Sequence, residues 1–301
     1  MQEKNKLLII CGPTATGKTR LGVDLAKKFN GEIVSADSRQ VYQGMDIGTG
    51  KDVVTGVKIW LLDLVKPDYR FNVADFKKQA DVVLADICKR GKLPIVVGGT
   101  GFYIKALTEG IESIGVKPDW ELRNKLQGCK ISELQRILED YSPERSQKMN
   151  ESDKQNPRRL IRAIEIARNY QLPITNRQSL KLDALFIGLS APNKILYQRI
   201  DQRVNERVKN GMAEEIKGLL AKGYTWENSA LGVTLAYKEW QEYFEGKKTK
   251  EEIIQKWQFD EHDYARRQMT WFKKNKKINW FEITKKSWQT EVEKKVESWY
   301  S

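Results

Sequence analysis

The chain has one histidine, His262, and three cysteines, Cys11, Cys88 and Cys129, with no C-x-x-C pair among them. This scarcity argues against a zinc site and a disulfide framework, and it makes a reducing cytoplasm the expected compartment. No apolar run approaches the roughly eighteen residues of a membrane span, so no membrane partner is expected. The polar lead Met1 to Lys6 runs directly into an apolar strand pattern, so no secretory signal is expected. Also missing is a strand of four apolar residues followed by Asp-Glu, the arrangement that holds metal and polarises water in motor-type ATPases. The nearest candidate, Leu61-Leu62-Asp63, follows Trp60 in a poorly patterned stretch. Group transfer to an acceptor is therefore expected rather than nucleotide-driven motion.

What is abundant is positive charge. The 301 residues include 53 Lys or Arg against 40 Asp or Glu, a net charge of +13. Such an excess implies a polyanionic partner, most simply nucleic acid, unless it is spread over a solvated surface. It is concentrated. Residues 264–286 hold eight basic residues (Arg266, Arg267, Lys273, Lys274, Lys276, Lys277, Lys285 and Lys286) and one acid, Glu282. Tyr264, Trp271, Phe272, Trp280 and Phe281 are interleaved with them, several as expected core residues. More than half of the excess charge thus lies in one segment, as expected for a surface that meets backbone phosphates.

The N-terminal part carries a phosphate-loop motif, Gly12-Pro13-Thr14-Ala15-Thr16-Gly17-Lys18-Thr19. It follows the apolar run Leu7 to Cys11 and opens a helical pattern from Arg20 to Phe29, the context that makes G-x-x-x-x-G-K-[ST] credible. The glycines let successive backbone N–H groups turn toward a polyanion, and the helix N-terminus adds positive dipole. Lys18 adds a full charge, and the Thr19 hydroxyl is suited to hold Mg²⁺ on the phosphates. The commonest occupant of such a loop is ATP.

Strand and helix patterns alternate around this motif. Glu32 to Ala36 reads as a second strand, residues 74–89 as a helix, and Leu93 to Val97 as a third strand ending in Gly98-Gly99-Thr100-Gly101. Continuous apolar strands between helices predict a parallel sheet covered on both faces, an α/β fold with a P-loop NTPase-like core. Ligands of such sheets bind beyond the carboxyl ends of the strands, so the phosphate loop, Asp37 to Gln40 and Gly98 to Gly101 should share one crevice. From Gly110 to about Leu182 apolar strands vanish. The expected organisation is a core of residues 1–110 and 183–301 with a mostly helical insertion, 111–182, whose helix Arg158 to Arg168 is a candidate to pack on the core. The strand pattern returns at Ala184 to Leu189, and everything from Ile195 onward reads as helical.

Asp37, at the end of the second strand and facing the phosphate loop, is placed to accept a proton from an attacking nucleophile, or merely to cap a turn. Ser38 and Gln40 beside it suit the reading of a base edge or the closing of that turn. Thr100 is a candidate substrate contact by its neighbourhood. Arg158, Arg159 and Arg162 cluster at the start of a helix opened by Asn156-Pro157, a capping residue followed by a first-turn proline. On their own they read as a solvated basic face.

Taken together, the residues resemble a known family, the tRNA dimethylallyltransferases (bacterial-type tRNA isopentenyl transferases). The resemblance spans nearly the whole chain. Besides the phosphate loop it rests on Ser35 to Tyr42, Gly44 to Thr49, Val97 to Tyr103, Asn156 to Ala163, and Arg266 to Phe272. It implies transfer of a dimethylallyl group from dimethylallyl diphosphate to N6 of the adenosine 3′ of the anticodon, with Mg²⁺ on Thr19. Gly12 to Thr19 would then hold a departing diphosphate, and Asp37, Lys18, Thr19 and Thr100 would serve catalysis. The implied tRNA anticodon stem-loop contacts are Asp37, Ser38, Arg39, Gln40, Thr100, Arg123, Arg158, Arg159, Leu160, Ile161 and Arg162. A monomer is expected. The chain departs from the pattern at Ile59-Trp60-Leu61, where a His-His pair is usual, at Ala236 for a glycine, at Arg207 for a methionine, and at Ala265-Arg266-Arg267-Gln268. These departures bear on donor affinity and core packing, and the zinc-finger extension of eukaryotic relatives is not expected.

Three rivals differ in what they predict. An adenylate isopentenyltransferase would use the same chemistry on free AMP, ADP or ATP, and would have no need of the basic tail. A small-molecule kinase would put ATP in the loop under a mobile arginine lid. A non-catalytic nucleic-acid-binding protein would have no use for Asp37 opposite an intact loop.

Overall fold

The computed structural model describes residues 5–51, 54–169 and 182–301. Its strands are β1 (Asn5–Cys11), β2 (Gly31–Ser35), β3 (Ile59–Trp60), β4 (Leu93–Gly98), β5 (Leu182–Ser190) and β6 (Ile278–Glu282). The helices up to residue 168 are α1 (Lys18–Lys28), α2 (Val73–Lys89), α3 (Gly101–Thr108), α4 (Trp120–Leu126), α5 (Ile131–Tyr141), α6 (Pro143–Lys148), α7 (Glu151–Lys154) and α8 (Pro157–Arg168). Beyond β5 come α9 (Asn193–Lys209), α10 (Met212–Ala221), α11 (Gln241–Phe244), α12 (Lys250–Phe272) and α13 (Trp288–Tyr300). The strands form one sheet in the order β3-β2-β4-β1-β5-β6, every neighbouring pair parallel.

The apolar strand runs follow from this arrangement, because successive side chains alternate between two covered faces. Leu7, Ile9, Cys11, Val34, Val96 and Phe186 pack with Phe76, Ala80 and Leu84 of α2 and Tyr103 and Ile104 of α3. Leu8, Ile10, Ile33, Ile95, Val97 and Ile187 pack with Leu21 and Leu25 of α1 and with Val292 and Val296 of α13. A third apolar group joins α9, α10 and α12 through Ile200, Val204, Ile216 and Trp257, with Tyr237 and Trp240 between them.

Contacts divide the chain into a larger unit, residues 1–110 and 180–301, and a smaller one, residues 111–179. The smaller unit has its own core of Leu122, Leu126, Leu134, Leu138, Leu160, Ala163 and Ile164. Its helix α8 begins as its sequence dictates, with Asn156 accepting the Arg159 N–H and Pro157 in the first turn. The apolar side of α8, a candidate for the sheet core by sequence, packs on α4 and α5 within the smaller unit. The stretch expected to end the insertion lies partly outside the described residues, at 170–181.

Two strands escape the sequence pattern. β6 lies inside the stretch read as helical, where Ile278 to Glu282 pairs with Phe186 to Ser190. β3 is two residues long and forms the opposite edge. There the Trp60 indole donates to the buried Glu32 carboxylate at 2.7 Å, which also accepts two hydrogen bonds from Arg90 (2.6 and 2.7 Å) and one from Lys92 (2.8 Å). Hydrogen bonds from Arg90 first, then from Lys92 and Trp60, hold this carboxyl well below the usual range against the opposing effect of burial. A folded pKa below the unfolded value means that the stabilisation is present above about pH 4.3 and is lost as pH falls further. Glu32→Gln is expected to cost about 1–3 kcal/mol at pH 7, measured by urea unfolding. The gap between variant and parent should narrow below pH 4.

Candidate active site

The cavity lies at the carboxyl ends of β1, β2 and β4, where a parallel sheet presents its loops. Its volume is about 490 Å³, and Thr14, Lys18, Thr19, Asp37, Gln40, Gly98 and Gly99 contribute to its lining. The phosphate loop, the turn after β2 and the turn after β4 therefore meet, as the fold class predicts. A second wall comes from Asp46 to Lys51, a third from Arg203, Glu206, Arg207 and Asn210 of α9, and a fourth from Tyr264 and Gln268 of α12.

The phosphate loop is shaped by local necessity. Gly12 has φ 132°, and a Cβ there would come within 2.4 Å of the Leu189 carbonyl oxygen. Gly17, with φ 84°, caps α1. Pro13 O accepts hydrogen bonds from the Thr16 hydroxyl at 2.8 Å and from Lys18 Nζ at 2.6 Å. Burial above all, and then the positive charge of Arg203, lower the Lys18 pKa to about 8, while Asp37 and Cys11 pull the other way. Burial pushes the Cys11 thiol up to about 12, so it is an inert core group.

Asp37 closes a turn and also faces the cavity. Its Oδ1 accepts the N–H of Arg39 at 2.8 Å and that of Gln40 at 3.4 Å. Oδ2 takes no hydrogen bond among the described residues, so the turn occupies one oxygen of a carboxylate that also lines the cavity. The Thr100 hydroxyl is not in the cavity lining. It accepts the Ser38 N–H at 3.2 Å and so ties the two turns together. Gln40 is held by Ser35 Oγ, at 3.0 Å from its Oε1, and donates to the Gly50 carbonyl at 3.1 Å.

The Asp46–Lys51 wall is anchored from behind. Glu215 accepts the N–H groups of Asp46 (2.9 Å), Ile47 (2.7 Å) and Gly48 (3.2 Å), together with the Tyr237 hydroxyl (2.5 Å). Lys51 donates to the Tyr42 carbonyl at 2.6 Å and pairs with Asp46 at 2.7 Å and with Asp63. Asp63, the nearest candidate for a metal-holding strand-end aspartate, is thus a partner of Lys51 and stays outside the cavity.

Gln268 stands in the sequence only as one letter of a basic block, yet it joins two loops. Its Oε1 accepts the Thr14 N–H at 2.9 Å, and its amide nitrogen donates to the Gly99 carbonyl at 3.0 Å. The helical spacing of Tyr264 and Gln268, and of Arg203, Glu206, Arg207 and Asn210, is the signal that could have found these walls. Polar residues three and four apart share one helix face.

In the smaller unit, Arg123 pairs with the buried Glu165 through two bonds, 2.6 and 2.8 Å long, and Arg162 reaches the same carboxylate at 2.9 Å. Burial pushes Glu165 up, but the bonds from the two guanidiniums prevail and hold it below the usual range. Arg158 and Arg159 are exposed, the latter paired with Asp153, and Ile161 is half-buried. Leu160 corrects the sequence expectation. It is fully buried among Leu134, Leu138 and Ile164, so its side chain serves the core and does not face RNA.

Comparison with known proteins agrees with this architecture. Residues 40–275 match the family model described as IPP transferase, and residues 5–62 match one described as isopentenyl transferase. A tRNA dimethylallyltransferase of Pediococcus pentosaceus is 40% identical, with 98% of this chain and 96% of that protein covered. One from Carboxydothermus hydrogenoformans is also 40% identical, over 96% of both. The crystal structure of a tRNA isopentenylpyrophosphate transferase from Bacillus halodurans is 34% identical over 98% of this chain and 96% of that one, with a TM-score of 0.74. A eukaryotic dimethylallyltransferase acting on tRNA superposes with a TM-score of 0.80 at 26% identity, covering 97% of this chain and 77% of its own. By this extent of agreement in sequence and fold, the chain belongs to the IPP transferase family, alongside the tRNA dimethylallyltransferases.

Proposed function

We propose that the chain transfers a dimethylallyl group from dimethylallyl diphosphate to N6 of the adenosine 3′ of the anticodon in tRNA, releasing diphosphate. The observation that carries this reading is that Lys18 and Thr19 line the same cavity as Asp37, whose Oδ2 takes no hydrogen bond among the described residues. An exocyclic adenine amine is a weak nucleophile. Asp37 accepts its N–H and takes the proton as the new C–N bond forms, a contribution of roughly 10²–10⁴ in rate. Lys18 and the loop N–H groups stabilise the charge gathering on the leaving diphosphate. The adenosine leaves its stack to reach the cavity, the usual demand of chemistry on a base.

A divalent cation suits the donor set. Thr19 offers one hydroxyl beside the loop, and no group of three or more His, Cys, Asp or Glu residues among the described residues forms an all-protein cage. Mg²⁺ fits that pattern, since it takes phosphate oxygens and waters together with few protein ligands. Bound there it would supply charge neutralisation on the diphosphate, with Thr19 as its protein ligand.

The basic tail and Arg123, Arg158, Arg159 and Arg162 support contact with the tRNA backbone, and residues 111–182 are read as the helical insertion that carries those arginines. Among the described residues no helix is long and apolar enough to cross a membrane. The three free cysteines suit a cytoplasmic protein, and the chain is read as a monomer.

The decisive assay offers labelled dimethylallyl diphosphate and Mg²⁺ together with unmodified tRNA, AMP and ATP. Label is expected in tRNA; label in AMP alone would transfer the reading to the adenylate rival. Asp37→Asn should lower kcat by about 10²–10⁴ while tRNA binding, followed by filter retention, persists. Retained turnover would remove Asp37 as the base.

The pH dependence has a sign fixed by Lys18. Its pKa near 8 means that the ammonium is present below that pH and is lost above it, so kcat/KM for the donor should fall through about pH 8. The inflection should be missing in Lys18→Met, whose activity is low throughout. In the tail, Lys273, Lys274, Lys276 and Lys277 are exposed. Reversing all four to Glu should weaken tRNA binding and flatten its log–log salt slope by about one unit for each phosphate that is no longer neutralised. An unchanged slope would make the tail a solvated face.

A further inference from the structure

The apolar part of the donor needs a partner of its own. As the C1–O bond of the diphosphate ester breaks, its electron pair leaves with the diphosphate and the dimethylallyl carbons become cation-like. The N6 lone pair then forms the C1–N bond, and the N6 proton passes to Asp37. Water near that carbon would compete with the amine. The lining most able to stabilise such a centre is the electron-rich face of an aromatic ring.

Among the described residues lining the cavity, Tyr264 is the one aromatic; Ile47 and Val97 are the large aliphatic ones, and most of the rest are polar. It sits one helical turn before Gln268 on α12, and Gln268 is bonded to Thr14 of the phosphate loop. The spacing of four puts both side chains on one face of the helix, so the ring stands beside the loop that holds the diphosphate. Burial first, and then the negative charge of Asp37 and of Glu261, raise its phenol above the usual value, so the ring stays neutral and close to the proposed base. The Arg267 guanidinium lies 5.9 Å from the ring centroid, so this ring already has one cation near it, and Tyr264 also lines the cavity.

Resting on the transfer reaction proposed above, we infer that Tyr264 is a further catalytic residue, whose ring face stabilises the allylic cation and keeps water from it. The hydroxyl is incidental to this role; the π-system is not.

The test compares wild type, Tyr264→Phe and Tyr264→Leu in single-turnover transfer to tRNA. It adds a series in which phenylalanine and its mono-, di- and trifluorinated forms occupy position 264. Fluorine withdraws density from the ring while changing its shape little. Tyr264→Phe should stay within about twofold of wild type, and Tyr264→Leu should lose roughly ten- to thirtyfold in the transfer rate with little change in either KM. The fluorinated series should fall step by step, an effect that a purely structural ring would not produce. A flat series overturns the inference, as does a Tyr264→Leu variant as fast as Tyr264→Phe or one impaired only in KM for tRNA. The fluorinated series decides the matter if Tyr264→Leu fails to fold. A wild-type protein that labels no tRNA would instead remove the underlying function. Labelled tRNA with a flat series removes the role of Tyr264 alone.

Discussion

One side-chain amide, that of Gln268, holds the site's two glycine-rich loops at a fixed separation. It accepts from the phosphate loop at Thr14 and donates to the β4 turn at Gly99, using both ends of the amide plane. Rotating the amide by half a turn would set donor against donor and acceptor against acceptor, so the bridge has one orientation. It also dictates its neighbour. A Cβ at position 99 would lie 2.1 Å from the Gln268 nitrogen, so Gly99 is a requirement of close approach. Through this bridge α12, a C-terminal helix, becomes part of an N-terminal phosphate site, and the same helix face brings Tyr264 to the cavity.

The phosphate loop, the parallel sheet and the meeting of three loops at its carboxyl end are legible in the sequence. Each follows from local pattern: apolar runs of strand length, a glycine spacing with a lysine, and the rule that places ligands in such sheets. What is not legible depends on pairing across long separations. β6 is a five-residue strand of mixed polarity, Ile278 to Glu282, half-buried at the sheet edge, and it is too short to stand out within the basic, aromatic segment 264–286. The α9 wall escapes the sequence because Arg203 and Arg207 read as ordinary charge on a polar helix until the fold turns that face inward. Leu160 misleads for the opposite reason. It belongs to a run of consecutive residues that resembles a family block, whereas a helix divides any such run between core and solvent.

The departures from the family pattern acquire physical meaning in the structure. Trp60 stands where a histidine is usual, yet its indole satisfies Glu32 at the sheet edge and lies away from the cavity. Ala236 replaces a glycine while keeping φ 78°, a left-handed conformation that costs an L-residue about 1–2 kcal/mol. That turn precedes Tyr237, whose hydroxyl reaches Glu215 and through it the Asp46–Lys51 wall. Arg207 is the departure that changes the cavity itself. It adds a guanidinium beside Arg203 and packs so closely on Gly50 that a Cβ there would meet it at 1.9 Å.

In the smaller unit, Glu165 is fully buried and binds two arginines at once. The two guanidiniums thus share one buried carboxylate as their anchor. Each guanidinium is also held by bonds made within the unit, Arg123 to Glu165, and Arg162 to Glu165 and the Val116 carbonyl. A free arginine gives up about 2 kcal/mol of rotamer freedom when it is immobilised on a partner. Arg123 and Arg162 give up part of that freedom within the folded unit itself, so an anionic partner binding there would meet side chains already positioned.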